Sequence, residues 1–351
     1  MRILLLLILC FAVIFVNSRK LRKYTINLDE NPTQRWNHVI RDHLDYLPGV
    51  IAESKNYIPT FLQPFVWFVS SKIAYFFPKD KRLELEGIAL ESGIPLGEVV
   101  GLNILYDIAA FDRRHVFGLG CTSIVAQNSK GQIIHGRNLD FDMTDLLKNI
   151  TIYVDFTRNG EIIYSGITFV LYNGLLTGQR PNEYSVSLNA RYSGPFIDNI
   201  VMEIYTKFKR PVSYFIREVL ETKDSFEEAV DALSKTHLFS PSYIIVAGTK
   251  PNEGVIISRN RWNAADIYRL EFEKKRWFLV ETNFDHWKGD RDERRLTAIA
   301  QLKRIGASNI SASRMFDVLS THPVNNNLTV FSTVISAARP ALMFDSATVR
   351  D

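Results

Sequence analysis

The character of the chain changes at Cys121, and this change limits the folds that it can adopt. Before Cys121 the apolar residues recur at helical spacing, with Pro78 and Gly93 as breaks, and predict helices at residues 36–47, 57–77, 81–92 and 96–111. After Cys121, short apolar runs between polar turns predict strands at residues 121–127, 132–140, 151–156, 161–171 and 184–189. The first part is therefore predicted to be helical, and the second to begin with a sheet.

The second part continues in blocks of one element type. Helices are predicted at residues 197–208, 212–221 and 225–236, and strands follow at 242–247, 254–258, 266–271 and 276–283. Helices at 295–305 and 312–321 and a last pair of strands at 328–337 and 341–344 complete the chain. Such blocks predict an α+β fold with two sheets sandwiched between helical layers, and argue against a doubly wound parallel fold.

The first 18 residues predict a secretory signal peptide. Arg2 precedes an apolar run at residues 3–16, and the small residue Ser18 stands at a suitable cleavage position. The run is shorter than the roughly 20 residues of a membrane span, and an uncleaved signal anchor is the alternative. Sequons at Asn149, Asn309 and Asn327 fit the same route and predict glycosylation. We therefore expect a lysosomal or secreted protein.

Cys121 is the one cysteine that stays after removal of a signal peptide, because Cys10 lies in the apolar run. An unpaired thiol in a secreted chain indicates an intermolecular bridge, a buried core thiol or a reactive group. The net charge of +4, without a basic patch, does not predict nucleic-acid binding. The histidines show no ligand spacing, so neither a metal site nor a cofactor is predicted: His38, His43, His115, His135, His237, His286 and His322.

The segment from Phe61 to Phe77 (residues 61–77) is apolar almost all round and rich in aromatic residues. One interpretation is a helix buried in the core. The other is a surface helix that enters the surface of a membrane or micelle, with four cations near the lipid headgroups. These cations are Lys72, Lys79, Lys81 and Arg82.

A predicted hairpin brings polar residues back to Cys121. The turn at residues 128–131 joins two strands, so Arg137 and Asp140 at the far end of the second strand return to the start of the first. A guanidinium beside a thiol lowers its pKa, which suits a nucleophile. A surface ion pair between Arg137 and Asp140 is the alternative interpretation.

The residues of this hairpin, CTSIVAQNSKGQIIHGRNLDFD, resemble the start of the catalytic subunit in the family of N-acylethanolamine acid amidase and acid ceramidase. The resemblance continues through GITFVLYNGLLTGQRP, SYIIVAG, EGVIISRNR, RWFLVETNFDHWK, DERR and NNNLTVFSTV. It implies an N-terminal-nucleophile hydrolase with an αββα sandwich, in agreement with the order of elements. It also implies self-cleavage between Gly120 and Cys121, into a helical alpha subunit, residues 19–120, and a catalytic beta subunit, residues 121–351.

The resemblance further implies roles for single residues. Cys121 is the expected nucleophile, and its freed α-amine the proton shuttle. Asp140 is expected to orient that amine, Arg137 to line the site, and Asn283 to stabilise the oxyanion. Asn189 and Arg294 are possible supporting residues, with a surface role as the competitor for Arg294.

Two features depart from the family pattern. The family carries a glutamate where this chain has Ala190, which leaves the efficiency of hydrolysis and of self-cleavage open. The chain also inserts residues 112–120, with the basic pair Arg113 and Arg114, before the nucleophile. This insertion is either a site for a second protease or a surface loop.

Three functions stay open at this point. The first is an acid amidase that hydrolyses N-acylethanolamines to fatty acid and ethanolamine, without cofactor, and that acts as an alpha-beta heterodimer on a lipid amide substrate. The second is an acid ceramidase of the same fold. The third is an uncleaved, non-catalytic relative that binds lipid or a partner, because fold alone does not establish function. The segments HGRNLD, LLTGQ, ADIY and ETNFDHWK favour the first.

Overall fold

The computed structural model describes residues 18–56, 58–109, 120–191, 211–288 and 292–350. Three features predicted from the sequence lie outside these residues: the signal peptide up to residue 17, most of the insertion with Arg113 and Arg114, and the helix at 197–208. The end of the predicted helix at 96–111 also falls outside them.

The part before Cys121 contains helices and, contrary to the prediction, two strands. The strands are β1 (Ser18–Lys20) and β2 (Arg22–Asn27), and the helices are α1 (Asn37–Arg41), α2 (Leu47–Asn56), α3 (Gln63–Ile73), α4 (Lys79–Ser92) and α5 (Leu96–Ala109). Strand β2 has one buried residue, Ile26, and no clear alternation of exposed and buried positions. It forms because it pairs with a strand that lies far along the chain, at residues 152–157, and no local pattern predicts such a pairing.

The part from Gly120 onward holds the remaining strands and helices among the described residues. The strands are β3 (Gly120–Gln127), β4 (Ile133–Asp140), β5 (Thr151–Arg158), β6 (Glu161–Phe169), β7 (Thr177–Arg180), β8 (Tyr184–Ala190), β9 (Ser242–Ala247), β10 (Gly254–Arg259), β11 (Ala264–Arg269), β12 (Phe278–Glu281), β13 (Thr329–Ile335) and β14 (Thr348–Arg350). The helices are α6 (Thr144–Ile150), α7 (Val212–Thr222), α8 (Phe226–Lys235), α9 (Glu293–Ile305), α10 (Ala312–Ser320) and α11 (Ala341–Ser346).

The strands form two sheets, in the orders β1-β14-β13-β4-β3-β12 and β11-β10-β9-β8-β7-β6-β5-β2. Strand β3 of the first sheet packs on β8 and β9 of the second. Helices α9 and α10 cover the outer face of the first sheet, and α7 and α8 cover that of the second. Strands β4, β8 and β9 are buried along their whole length because both faces are covered. This αββα sandwich confirms the predicted fold class.

The predicted last strand at 341–344 is wrong. Residues 341–346 form helix α11, and β14 follows it as the strand that pairs with β13 and β1. Pro340 precedes the helix and Met343 packs inward from it. A short apolar run of four residues fits either element, so periodicity alone does not separate them.

Two further elements were not predicted. Strand β7 has no apolar alternation, and a side chain at Gly178 would meet Leu220 at 2.6 Å. Helix α6 is a short element that follows β4 directly and ends at Ile150. Strand β7 pairs with β8 of the second sheet, and helix α6 follows β4 of the first sheet. Strands β4 and β8 carry residues of the candidate site.

Helix α3 lies on the surface, so the interpretation of the 61–77 segment as a core helix is wrong. Its inner side packs on α5, where glycines make room for Trp67: a Cβ on Gly101 would lie 2.6 Å from the Trp67 ring. Two phenylalanines on its other side are exposed, Phe65 at 67% and Phe68 at 61%, and Phe61, which precedes the helix, is 81% exposed. Within the described part of the chain, no helix has the length and apolar character needed to cross a membrane.

The four cations predicted near headgroups do not share one environment. Lys72 and Lys79 are exposed, whereas Arg82 pairs with Glu86 at 2.6 Å. Lys81 is buried, which corrects the prediction that it faces lipid. Its side chain lies inside the molecule, near the charges of Glu84 and Arg217.

The three sequons differ in exposure. Asn309 and Asn327 are exposed, and Asn149 is half-buried, with its amide nitrogen 3.1 Å from the carbonyl oxygen of Asp145. Glycosylation at these positions stays a prediction.

Candidate active site

Cys121 lies at the start of β3 and is fully buried. In the hairpin register Gly120 faces Asp140, Cys121 faces Leu139 and Ser123 faces Arg137. The backbone N–H of Cys121 donates a hydrogen bond of 3.0 Å to Oδ1 of Asn283, which follows β12. The two neighbours of β3 in the first sheet, β4 and β12, therefore bring the polar residues to the cysteine.

Arg294 connects these residues. Its Nη1 donates to the carbonyl oxygen of Cys121 and to Oδ2 of Asp140, both at 3.3 Å. Its Nη2 donates to Oδ1 of Asn283 at 3.0 Å, and Asp292 at the start of α9 holds the guanidinium at 3.1 Å. Arg294 therefore faces the site, and the surface role considered for it is wrong.

Asp140 is buried at the end of β4 and accepts hydrogen bonds at both oxygens. Thr329 Oγ1 donates to Oδ1 at 2.8 Å, and Asn326 Nδ2 donates to Oδ2 at 3.1 Å. Asn326 and Thr329 were not predicted as site residues. They lie in the NNNLTV segment, which is part of the family resemblance, but the resemblance assigned no role to them.

Arg137 lies between the two sheets and is fully buried. Its Nη1 bonds to Ser123 Oγ at 3.2 Å and to Oδ1 of Asn189, and its Nη2 donates to the carbonyl oxygen of Leu188 at 2.7 Å. Asn189 in turn donates to the carbonyl oxygen of Thr282 at 2.8 Å. Asn189 therefore ties the guanidinium of Arg137 to both sheets, and the surface ion pair of Arg137 with Asp140 is excluded.

The pKa of the Cys121 thiol is raised above its usual value, and burial is the largest cause. Arg137 and Arg294 lower this pKa, and Asp140 raises it. The expectation that a guanidinium would lower the pKa of the thiol therefore holds for the contribution of Arg137 but not for the net shift. A neutral buried thiol needs a base nearby before it can attack a carbonyl.

Ala190 ends β8 and is fully buried. Its carbonyl oxygen accepts a hydrogen bond of 2.9 Å from Nδ2 of Asn283. A buried carboxyl group occurs nearby on β12, where Glu281 pairs with Arg295 at 2.5 Å. Burial raises the pKa of Glu281 to about 8 although Arg295 lowers it.

His135 is an interior histidine of the sandwich. Its Nδ1 lies 2.9 Å from Ser185 Oγ and its Nε2 lies 2.8 Å from Ser187 Oγ. Burial and the neighbouring Arg137 lower the pKa of His135 to about 3, so the ring is neutral at ordinary pH. The described residues contain no group of three histidine, cysteine, aspartate or glutamate side chains placed to hold a metal ion.

An apolar cavity of about 50 Å³ is lined in part by Phe141, the residue that follows Asp140 in the chain. Helices α2, α5 and α6 and the end of β6 surround it. Its lining residues are Val50, Leu102, Phe141, Met143, Leu147, Ile150, Phe169, Val170, Leu171, Tyr172 and Leu176. Its apolar lining favours hydrocarbon groups and disfavours charge.

Together, the αββα sandwich and a cysteine at the head of an inner strand define the class of N-terminal-nucleophile amide hydrolases. Known proteins agree with this class. Residues 121–307 match the model of linear amide C–N hydrolases, choloylglycine hydrolase family. Residues 19–77 match the beta subunit of N-acylethanolamine-hydrolyzing acid amidase. That description gives the beta label to the first segment, whereas the sequence analysis gave it to the second. Residues 19–120 are therefore called the N-terminal fragment, and residues 121–351 the catalytic fragment.

Three relatives are informative. An N-acylethanolamine-hydrolyzing acid amidase of Caenorhabditis elegans is 68% identical and covers 96% of this chain and 94% of its own. The Mus musculus amidase is 38% identical, with 90% and 86% covered, and the acid ceramidase of Homo sapiens is 36% identical, with 90% and 83% covered.

A solved structure of a C. elegans N-acylethanolamine-hydrolyzing acid amidase ortholog has a TM-score of 0.62 and 67% identity, and covers 66% of this chain and 100% of its own. The chain belongs to the family of N-acylethanolamine-hydrolyzing acid amidase and acid ceramidase within the linear amide C–N hydrolases, and is an amide hydrolase of the N-terminal-nucleophile type.

Proposed function

We propose that the chain cuts its own backbone between Gly120 and Cys121. The thiol sulfur attacks the Gly120 carbonyl carbon, the C–N bond breaks, and the thiol proton passes to the released nitrogen. Water then hydrolyses the thioester, which leaves a carboxylate on Gly120 and a free thiol and α-amine on Cys121. Each step conserves atoms and requires no cofactor.

Two observations support this cleavage. A Cβ on Gly120 would lie 2.8 Å from both Asp140 Oδ2 and Arg294 Nη1, so the residue before the bond lies among the polar groups of the site. The catalytic fragment would hold residues 121–351, which is 66% of the chain and equals the share that the solved C. elegans chain covers.

The same thiol then hydrolyses a lipid amide. The α-amine takes the thiol proton as the sulfur attacks the substrate carbonyl, and returns it to the leaving nitrogen, so that the amine departs and an acyl thioester stays on Cys121. Water, activated by the amine, releases the fatty acid. Of the two hydrogens on Asn283 Nδ2, one is donated to the carbonyl oxygen of Ala190. We assign the other to the oxyanion, an effect worth about 3 kcal/mol.

The observation that carries this proposal is a pair of hydrogen bonds to the backbone of Cys121. Asn283 accepts its backbone N–H, Arg294 donates to its carbonyl oxygen, and its side chain is buried. The test is Cys121→Ala, which should stay a single chain at acidic pH and lack amidase activity. A Cys121→Ala protein that is still cut and still active would disprove the assignment.

We propose N-acylethanolamines as the substrates, with the acyl chain against the apolar residues that line the cavity at Phe141. The 68% identity to the C. elegans amidase supports this choice, whereas the mammalian amidase and ceramidase are almost equally similar and do not discriminate. The alternative is hydrolysis of ceramide to sphingosine and fatty acid, which needs a second apolar groove.

The best argument for the third function, an uncleaved relative without activity, is the missing carboxylate at Ala190. Ala190 nevertheless contributes to the site through its backbone, because its carbonyl oxygen accepts a hydrogen bond from Asn283. A single denaturing gel after incubation at acidic pH separates this alternative from the other two, because only it leaves the chain uncut.

Helix α3 is proposed to contact the membrane or micelle from which the substrate comes. The exposed Phe65 and Phe68 support this, since each phenylalanine side chain that enters lipid contributes roughly 1.5–3 kcal/mol. Replacing both by Ser should weaken liposome binding about 100-fold or more. Hydrolysis of a short soluble amide should stay unchanged, and equal liposome binding would refute the contact.

Lysosomal or extracellular location is part of the proposal, through the signal peptide of residues 1–18 and the sequons at Asn149, Asn309 and Asn327. The secreted protein should lack residues 1–18, and enzymatic removal of N-glycans should lower its mass. A mature chain that retains the apolar run would instead indicate a signal anchor.

A further inference from the structure

A buried ion cluster joins the two parts of the chain far from Cys121. Glu84 on α4 receives two hydrogen bonds from Arg217 on α7, at 2.6 Å and 2.8 Å, and both side chains are fully buried. The Nε of Arg217 donates to Tyr164 at 2.9 Å, and its guanidinium stacks 4.5 Å from the ring centre of Phe156. Glu84 belongs to the N-terminal fragment, and the other three residues belong to the catalytic fragment.

Amide side chains surround this ion pair and also cross from one fragment to the other. Asn173 donates to Glu84 Oε2 at 3.2 Å and to the carbonyl oxygen of Lys81 at 3.1 Å. Asn103 accepts the N–H of Asn173 at 2.9 Å and donates to the carbonyl oxygen of Leu171 at 2.7 Å. Every one of these contacts joins the N-terminal fragment to the catalytic fragment.

We propose that this cluster, centred on Glu84 and Arg217, keeps the N-terminal and catalytic fragments associated after the bond before Cys121 is cut. This inference rests on the proposed self-cleavage. Removing one partner of a buried charge pair leaves the other charge unpaired in a low-dielectric interior, which is costly. The edge strands β1 and β2 also join the fragments, through backbone pairing with β14 and β5. The cluster differs from this pairing because the buried charge of Arg217 is neutralised by Glu84 of the other fragment.

The charges around Glu84 make the cluster resistant to acid. Burial alone would raise the pKa of Glu84, but Arg217, Lys81 and Arg35 lower it to about 2. Tyr164 faces Arg217, Asp80 lies 3.4 Å from Arg35, and Glu221 acts on Lys81. A carboxyl group with a lowered pKa stabilises the assembly fully above its free pKa, and this effect is lost progressively as the pH falls from the free pKa to the lowered value. The association should therefore be unweakened at pH 5 and should weaken step by step towards pH 2.

The experiment uses the full chain with an affinity tag at its C-terminus, so that the tag stays on the catalytic fragment. After processing, the protein is captured and washed at a series of pH values, and the retained N-terminal fragment is quantified. Glu84→Gln is compared with Glu86→Gln, a matched change on the same helix whose partner Arg82 lies in the same fragment.

We expect Glu84→Gln to raise the dissociation constant between the fragments about 100-fold or more, and Glu86→Gln to leave it unchanged. Equal retention in the Glu84→Gln and wild-type proteins would overturn the proposal. The wild-type pH series is a second test that needs no variant, because full release of the N-terminal fragment already at pH 5 would contradict a cluster that is ionised there.

A chain that never cuts itself would refute the proposed processing and not the cluster. In that case a protease site placed within residues 112–119 allows the chain to be cut on purpose, and the same capture experiment applies. Fragments that separate after this cut in the wild-type protein at pH 5 would overturn the proposal.

Discussion

Thr329 offers a sharp test of the site, because its hydroxyl group donates to Oδ1 of Asp140, whereas Asn326 and Arg294 donate to Oδ2. Its Oγ1 donates to Asp140 Oδ1 at 2.8 Å and accepts the N–H of Asn326 at 3.0 Å. Thr329→Val keeps the volume and removes both bonds. A hydrogen bond to a charged group is worth about 1.5–3 kcal/mol, so we expect kcat/KM to fall about 10- to 150-fold.

The controls separate this effect from glycosylation, because Thr329 is also the third residue of the Asn327 sequon. Thr329→Ser keeps both the hydroxyl and the sequon and should retain activity near that of the wild-type protein. Asn327→Gln removes the sequon alone and should leave kcat/KM on a short soluble amide unchanged. The assay is the initial rate at acidic pH, with the fraction of cut chain measured in parallel. Thr329→Val activity equal to that of Thr329→Ser would refute the role of this bond.

Three further predictions follow from the site. Gly120→Ala should slow self-cleavage about 5- to 100-fold, because the added Cβ would displace Asp140 or Arg294 at a cost of about 1–3 kcal/mol. Gly49→Ala is the control, since the nearest atom to its added Cβ would be 3.4 Å away. Equal cleavage rates of the two variants on a denaturing gel would contradict the prediction. Ala190→Glu should speed hydrolysis or self-cleavage, and a slower enzyme would show that the site is built around alanine. A saturated acylethanolamide should give a higher kcat/KM than ceramide of equal acyl length in the same detergent, and a preference for ceramide would assign the protein to the other activity.

Local sequence patterns predicted the parts of the fold whose contacts are near in sequence. The β3–β4 hairpin that returns Arg137 and Asp140 to Cys121 depends on a short polar connection between Gln127 and Ile133, and the residues of this connection predicted the turn. Strands β1 and β2 depend on pairing with β14 and β5, which lie far along the chain, so no local pattern predicted them.

The same limit applies to the functional residues. Asn283 and Arg294 entered only through the family resemblance, because nothing in their neighbourhood indicates a site. Thr329 reaches Asp140 across 189 residues, and Arg217 reaches Glu84 across 133. The raised pKa of the Cys121 thiol also depends on burial between two sheets, which outweighs the nearby guanidinium of Arg137 and is not visible in the hairpin sequence.

The most direct test of the account is the N-terminal sequence of the larger fragment after the purified chain is held at acidic pH. We predict that it begins Cys-Thr-Ser, at Cys121, and that the appearance of this terminus coincides in time with the appearance of amidase activity. A larger fragment that begins elsewhere, for instance at His115, or full activity in a chain that is still intact, would contradict the central claim that a freed N-terminal cysteine is the nucleophile.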